Sequence, residues 1–123
     1  MASLDEASLS PVERRVVERL VDLLEAEFGP HLSSIWLYGS RARGERPHPE
    51  SDVDILVVAD RGRPDDDLRV IELLFEAARA EGASPADFST HLYDPDRVAQ
   101  RRKIRSFFFQ ELDRDKIVLA GEP

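Results

Sequence analysis

Apolar residues first recur in a pattern in SPVERRVVERLVDLLEAEFGP, where Val12, Val16, Leu20, Leu23, Leu24 and Phe28 fall on one face at helical spacing. Ser10 and Glu13 are placed for a capping box, Pro11 suits the first helical position, and Gly29–Pro30 stops the helix. The pattern then shifts to strands. SSIWLYG is a short run of β-formers, with Trp36 and Tyr38 on one face as packing residues. GSRARGERPHPES follows as a turn, with one helical turn after Ser40 and a loop broken by Pro47 and Pro49. In DVDILVVAD, the clearest strand, Val53, Ile55 and Val57 point to one face, and Asp52, Asp54, Leu56 and Val58 to the other.

RGRPDDD predicts a loop whose aspartates cap a helix from Asp66 to Ala80, with Leu68, Ile71, Leu74 and Ala78 facing inward. DFSTHLYD reads as a third strand, and Asp94–Pro95 as a cap and first residue of a helix running to about Arg105. SFFFQELDRD fits either one more helical turn or a packed irregular segment, and KIVLAG closes the chain as a short strand. Phe107, Phe108 and Phe109 are consecutive, so neither a helix nor a strand turns all three inward. The element order predicts an α+β (mixed α/β) domain: a small mixed β-sheet flanked by helices. Residues 1–123 are expected to form a single domain, with 1–9 a flexible N-terminus.

Composition narrows the function classes. A net charge of −8 argues against broad binding to nucleic acid, so an anionic substrate needs a local arginine cluster or a metal. The chain has no cysteine, which excludes disulfides and thiolate metal sites. It shows no apolar signal region and no apolar run long enough for a membrane span, which predicts a cytoplasmic protein.

Candidate chemistry concentrates between Leu37 and Asp60. Asp52 and Asp54, at i and i+2 of a strand, project to the same side and raise each other's pKa unless a positive charge lies between them. A hard, oxygen-preferring cation, Mg²⁺ or Mn²⁺, answers that need and keeps positions open for substrate phosphates. No histidine or cysteine is near enough in sequence to argue for zinc. Upstream, Gly39 lets backbone approach a ligand, Ser40 offers a hydroxyl and the start of a helical turn, and Arg41, Arg43 and Arg46 add positive charge. Metal-binding acids beside a phosphate-binding turn describe a site for a nucleoside triphosphate and imply phosphoryl or nucleotidyl transfer.

The ordered set GSRARG, an eleven-residue gap from Ser40 to Asp52, and SDVDILV resembles the nucleotidyltransferase superfamily that includes DNA polymerase beta. It is most similar to the minimal nucleotidyltransferase (MNT) branch, the antitoxins paired with HEPN-domain toxins. The resemblance implies a polymerase beta-like fold. It also implies triphosphate contacts from Gly39 and Ser40, with Arg41 and Arg43 in the same motif, and metal binding by Asp52 and Asp54. The family's third carboxylate, which shares a metal and helps deprotonate the attacking hydroxyl, maps to Asp87 if the two strands pair in suitable register. Asp94 reads as a helix cap. His91 falls on the Asp87 face as a partly buried histidine, and His31 and His48 as loop surface. The activity implied is Mg²⁺-dependent transfer of AMP from ATP to a hydroxyl, with a tyrosine of a HEPN toxin as acceptor and assembly with that partner. Two alternatives remain: an antitoxin that neutralises its partner by contact alone, and a small-molecule nucleotidyltransferase, whose relatives carry an added helical domain.

Overall fold

The computed structural model describes residues 3–48 and 51–123. Helix α1 (Pro11–Phe28) begins with the expected capping box: Ser10 Oγ accepts from the Glu13 amide, and the Glu13 carboxylate accepts from the Ser10 amide. A 3-10 turn over Gly29–His31 leads into β1 (Leu32–Tyr38), and β2 (Val53–Ala59) returns antiparallel to it. Helix α2 (Asp66–Ala80) crosses over to β3 (Phe88–Tyr93), which lies parallel to β2, as a parallel pair requires. Helices α3 (Pro95–Lys103) and α4 (Phe107–Asp115) precede β4 (Ile117–Gly121), antiparallel to β1. The sheet order is β3-β2-β1-β4.

The two central strands are covered on both sides, which is why IWLY and ILVVA read as nearly unbroken apolar runs. Ile35, Leu37, Val53, Ile55 and Val57 meet α1 and α2 in one core; Trp36, Tyr38, Leu56 and Val58 meet Val98 of α3 and Phe109 and Leu112 of α4 in the other. The alternation expected for β2 is therefore the division between two cores. Leu4, Ala7 and Leu9 lie against the first core, and the Ser8 amide donates to the Arg41 carbonyl, so this stretch of the N-terminal segment packs against the domain.

Three expectations need correction. Leu68 and Ile71 of α2 are exposed, and the buried face is Val70, Leu73, Leu74, Ala77 and Ala78. The helix carries two apolar stripes, and the sheet takes the one whose alanines permit close approach. Asp65, at the start of α2, makes no side-chain cap; Asp66 is buried instead, accepting from Arg61 and the Arg63 amide. Helix α3 stops at Lys103, two residues early, because Arg105 adopts φ 54° and Ser106 starts α4 by accepting from the Phe109 amide. SFFFQELDRD is thus a full helix, and of its phenylalanines only Phe109 is buried. Asp94 caps α3 as expected, through the Arg97 amide. Pro49, expected to break the loop before β2, lies outside the described residues.

Candidate functional site

The site forms where β1 ends and β2 begins. Antiparallel register sets Tyr38 opposite Asp54, so the next residue, Gly39, turns directly over the Asp54 carboxylate. Gly39 has φ +80°, and a Cβ there would sit 2.6 Å from Asp54 Oδ2. Glycine is required twice over, by conformation and by space. Beyond it the chain makes one tight turn, with the Arg43 amide donating to the Gly39 carbonyl and the Glu45 amide to the Ser40 carbonyl. This is the helical turn expected after Ser40.

Asp54 is half-buried at the second position of β2, and Asp52 is exposed just before it. Burial pushes the Asp54 pKa up, the Asp52 charge pushes it further, and His91 and Arg41 pull it partly back. The Tyr38 phenol is also raised, by burial first and then by Asp54 and Tyr93. The pair is thus an under-neutralised concentration of negative charge. His91, expected to be partly buried, is instead exposed, lies close enough to act on Asp54, and has its ring 6.5 Å from that of Tyr38. The alternation from Asp87 through Ser89 to His91 was the available signal.

Parallel register sets Val53 beside Phe88 and Asp54 beside Ser89, so Asp87 falls level with Asp52 at the same edge of the sheet. It is exposed, at the end of a 3-10 turn over Pro85–Asp87 that Ser84 caps. Among the described residues no three carboxylate or histidine groups converge as a metal cage. Asp87 therefore shares the edge with Asp52 and Asp54 without closing a three-acid cluster.

The two motif arginines have separate positions. Arg41 is buried, and all five of its N–H groups are engaged: with both Glu13 oxygens, the Ser8 carbonyl, and the hydroxyl and carbonyl of Ser51. It ties the start of α1 and the residue before Asp52 to the turn, and leaves no donor for a phosphate. Removing one partner of a buried pair of this kind costs roughly 3–5 kcal/mol. Burial alone would raise the Glu13 pKa, but the bonds from Arg41 and the Ser10 amide outweigh it and hold the carboxyl below its ordinary value. Arg43 is partly exposed, paired with Glu45 and 3.8 Å from Asp115. It lines a cavity of about 150 Å³ with Tyr38, Gly39, Phe108, Glu111 and Leu112. A larger cleft of about 530 Å³ opens at the far end of β2 and β3, lined by five aspartates (Asp60, Asp66, Asp67, Asp94 and Asp96) against Arg63 and Arg97, a net negative charge that suits phosphates poorly.

The sequence matches the family described as "Nucleotidyltransferase domain" over residues 14–118. The chain belongs to the nucleotidyltransferase-domain family. Its polymerase beta-like fold is shared with a putative nucleotidyltransferase from Sulfolobus solfataricus, at 17% identity and TM-score 0.53, covering 99% of this chain and 89% of that one. It is also similar to a chain of a toxin–antitoxin structure with AMP-PNP, at 25% identity and TM-score 0.50, covering 85% of this chain and 73% of that one. A search of curated proteins finds no match. Among the described residues no helix of the nucleotidyltransferase domain is long and apolar enough to cross a membrane.

A divalent cation, which the family implies, fits this donor set. Asp52 and Asp54 supply hard oxygens, and their unrelieved charge is the condition a bound cation would satisfy. Two carboxylates leave further coordination positions to water and substrate oxygens.

Proposed function

We propose that the domain transfers AMP from ATP to a protein hydroxyl, the acceptor being a tyrosine of a partner toxin of the HEPN class, and that it acts as the antitoxin of the pair. The observation that carries this reading is the contact of Gly39 with Asp54, which sets a turn suited to phosphate against a carboxylate pair suited to a cation. The 25% identity to a toxin–antitoxin chain in a structure with AMP-PNP supports the choice of adenine nucleotide and of a toxin as partner. In this reaction the acceptor oxygen attacks the α-phosphorus, the bond from that phosphorus to the bridging oxygen breaks, and pyrophosphate leaves. The hydroxyl proton passes to a carboxylate, for which Asp87 is the candidate. The free amides after Gly39 and the Ser40 hydroxyl orient the triphosphate. Asp52 and Asp54 would hold Mg²⁺ (or Mn²⁺), which when bound would supply charge neutralisation to the triphosphate.

Neutralisation of the partner by contact alone is the second reading, favoured by the lack, among the described residues, of a three-group cluster joining Asp87 to the acid pair. The two part in one assay: α-labelled ATP, Mg²⁺ and a candidate HEPN-class toxin, followed by detection of label on the toxin. Transfer lost in Asp52→Ala and Asp54→Ala and reduced in Asp87→Ala is expected. Undiminished transfer by the Asp52→Ala, Asp54→Ala double variant would sink the mechanism. A toxin bound tightly but never labelled would establish the contact-only reading.

A further inference from the structure

The joint between α3 and α4 has no role in the reaction above, yet it displays three of the large apolar side chains exposed among the described residues. Ile104 is 61% exposed, Phe107 75% and Phe108 40%, all within five residues. They are displayed by a strained backbone: Arg105 is a non-glycine residue at φ 54°, in the left-handed region that L-residues disfavour. The Ser106 amide, donating to the Arg101 carbonyl, and the Gln110 side chain, donating to the Arg105 carbonyl, hold that conformation in place.

The charge around this apolar patch is also unusual for the chain. Arg14, Arg15, Arg19, Arg61, Arg69 and Arg114 each have an acidic partner. Among the described residues Arg101, Lys103 and Arg105 form no ion pair, and Arg97 stacks on Tyr93, 4.1 Å from the ring centroid. In a protein with a net charge of −8, three cations without an ion pair among the described residues thus lie within six residues of its most exposed phenylalanine. The patch also adjoins the turn: the Phe108 ring meets that of Tyr38 edge-on at 5.6 Å, and Tyr38 precedes Gly39.

We infer that the α3–α4 joint is a docking surface for an acidic protein segment that presents an apolar side chain to Ile104 and Phe107 and carboxylates to Arg101, Lys103 and Arg105. Charge complementarity selects this occupant. An RNA strand would need a broader basic surface than three free cations on an acidic protein, and an aliphatic Ile104 offers a base no stacking face. The inference rests on the transferase reading only for its purpose, which is to bring a partner's hydroxyl to the edge of the sheet where the acids stand.

The test is an NMR titration of the ¹⁵N-labelled domain, without nucleotide, by a synthetic peptide rich in Asp and Glu around a single Leu and Tyr. Amides of residues 101–108 are expected to shift, less so as salt rises from about 50 to about 300 mM. Phe107→Asp and the triple Arg101→Glu, Lys103→Glu, Arg105→Glu variant are each expected to weaken binding by about tenfold or more, the loss of one anchor. Phe107 is three-quarters exposed and belongs to neither core, so its replacement is expected to leave the core and the affinity for Mg²⁺-ATP unchanged. Peptide shifts centred elsewhere, or none at millimolar peptide, would overturn the inference. So would stronger shifts of the same amides by an oligouridine, which would make the joint a nucleic-acid surface. The Asp52→Ala, Asp54→Ala variant is expected to bind the peptide like wild type, so a failed transfer assay and a failed docking assay remain separate results.

Discussion

Gly39→Ala tests the geometry on which the functional reading stands. The substitution places a Cβ 2.6 Å from Asp54 Oδ2, and a real Cβ contact needs most of another ångström. The carboxylate therefore rotates away, at about 1 kcal/mol for an off-rotamer side chain, on top of roughly 1–2 kcal/mol for an L-residue in the left-handed region. The total, about 2–3 kcal/mol, corresponds to a Tm loss of roughly 8–12 °C for a domain of this size. Gly82→Ala is the control: its φ of +72° carries the same backbone cost, but nothing lies within 4 Å of its Cβ. It is expected to lose roughly half as much in Tm and nothing in ligand binding. Calorimetry of Mg²⁺-ATP binding by both variants separates stability from site. Gly39→Ala is expected to bind about tenfold more weakly or worse, about 1.4 kcal/mol, because the displaced oxygen belongs to the acid pair. If it binds like wild type and loses only as much Tm as Gly82→Ala, Asp54 is not the cation ligand that the turn was inferred to face.

Two further outcomes follow from the electrostatics. Asp54→Asn removes a repulsion between charges roughly 6–7 Å apart along the strand, worth about 2–3 kcal/mol at an effective dielectric of 20 and less than 1 kcal/mol in water. With Asp52 exposed, a gain of about 1 kcal/mol, or roughly 4 °C in Tm without divalent cation, is expected; a lower Tm would contradict the repulsion. Acid stability turns on groups of opposite sign: Glu13, Asp66 and Asp113 have pKa values held below their unfolded ones by Arg41, by Arg61, and by Arg102 with Lys116, against the opposing effect of burial. Their stabilisation is fully present above pH about 5 and is lost as pH falls through the folded values. Urea midpoints measured from pH 7 to pH 3 are expected to fall less steeply for Glu13→Gln than for wild type, from a lower starting value; parallel curves would refute the assignment.

What the sequence disclosed was local. The capping box of α1, the proline-led start of α3 and the alternation of β2 each depend on residues within a few positions of one another, and each is found as read. The buried face of α2 is not legible locally, because Leu68, Ile71 and Phe75 form a second stripe of helical spacing, and only the packing against the rest of the fold decides between the two. Ser106 was a local signal for α4, obscured by three phenylalanines with no period of their own. The site shows the same division. GSRARG and DVD identify the chemistry, but the placement of Gly39 over Asp54 comes from strand register, a relation between residues fifteen positions apart.

Arg41 is where this limit matters most for function. Read along the chain, it is one of three arginines beside a phosphate-binding turn; in the fold its donors go to Glu13, Ser8 and Ser51, the first of them 28 residues away with no pattern to connect them. Glu13 thus serves twice, capping α1 and anchoring the turn, so the start of the first helix is part of the support of the site. The consequence is electrostatic. With Arg41 committed and Arg43 paired to Glu45 and close to Asp115, the turn itself brings backbone amides to a triphosphate, and of its three arginines only the exposed Arg46 forms no ion pair among the described residues. In the proposed reaction most of the charge would then come from a cation held by Asp52 and Asp54, which makes nucleotide affinity depend more steeply on divalent metal than a motif with three free arginines would lead one to expect.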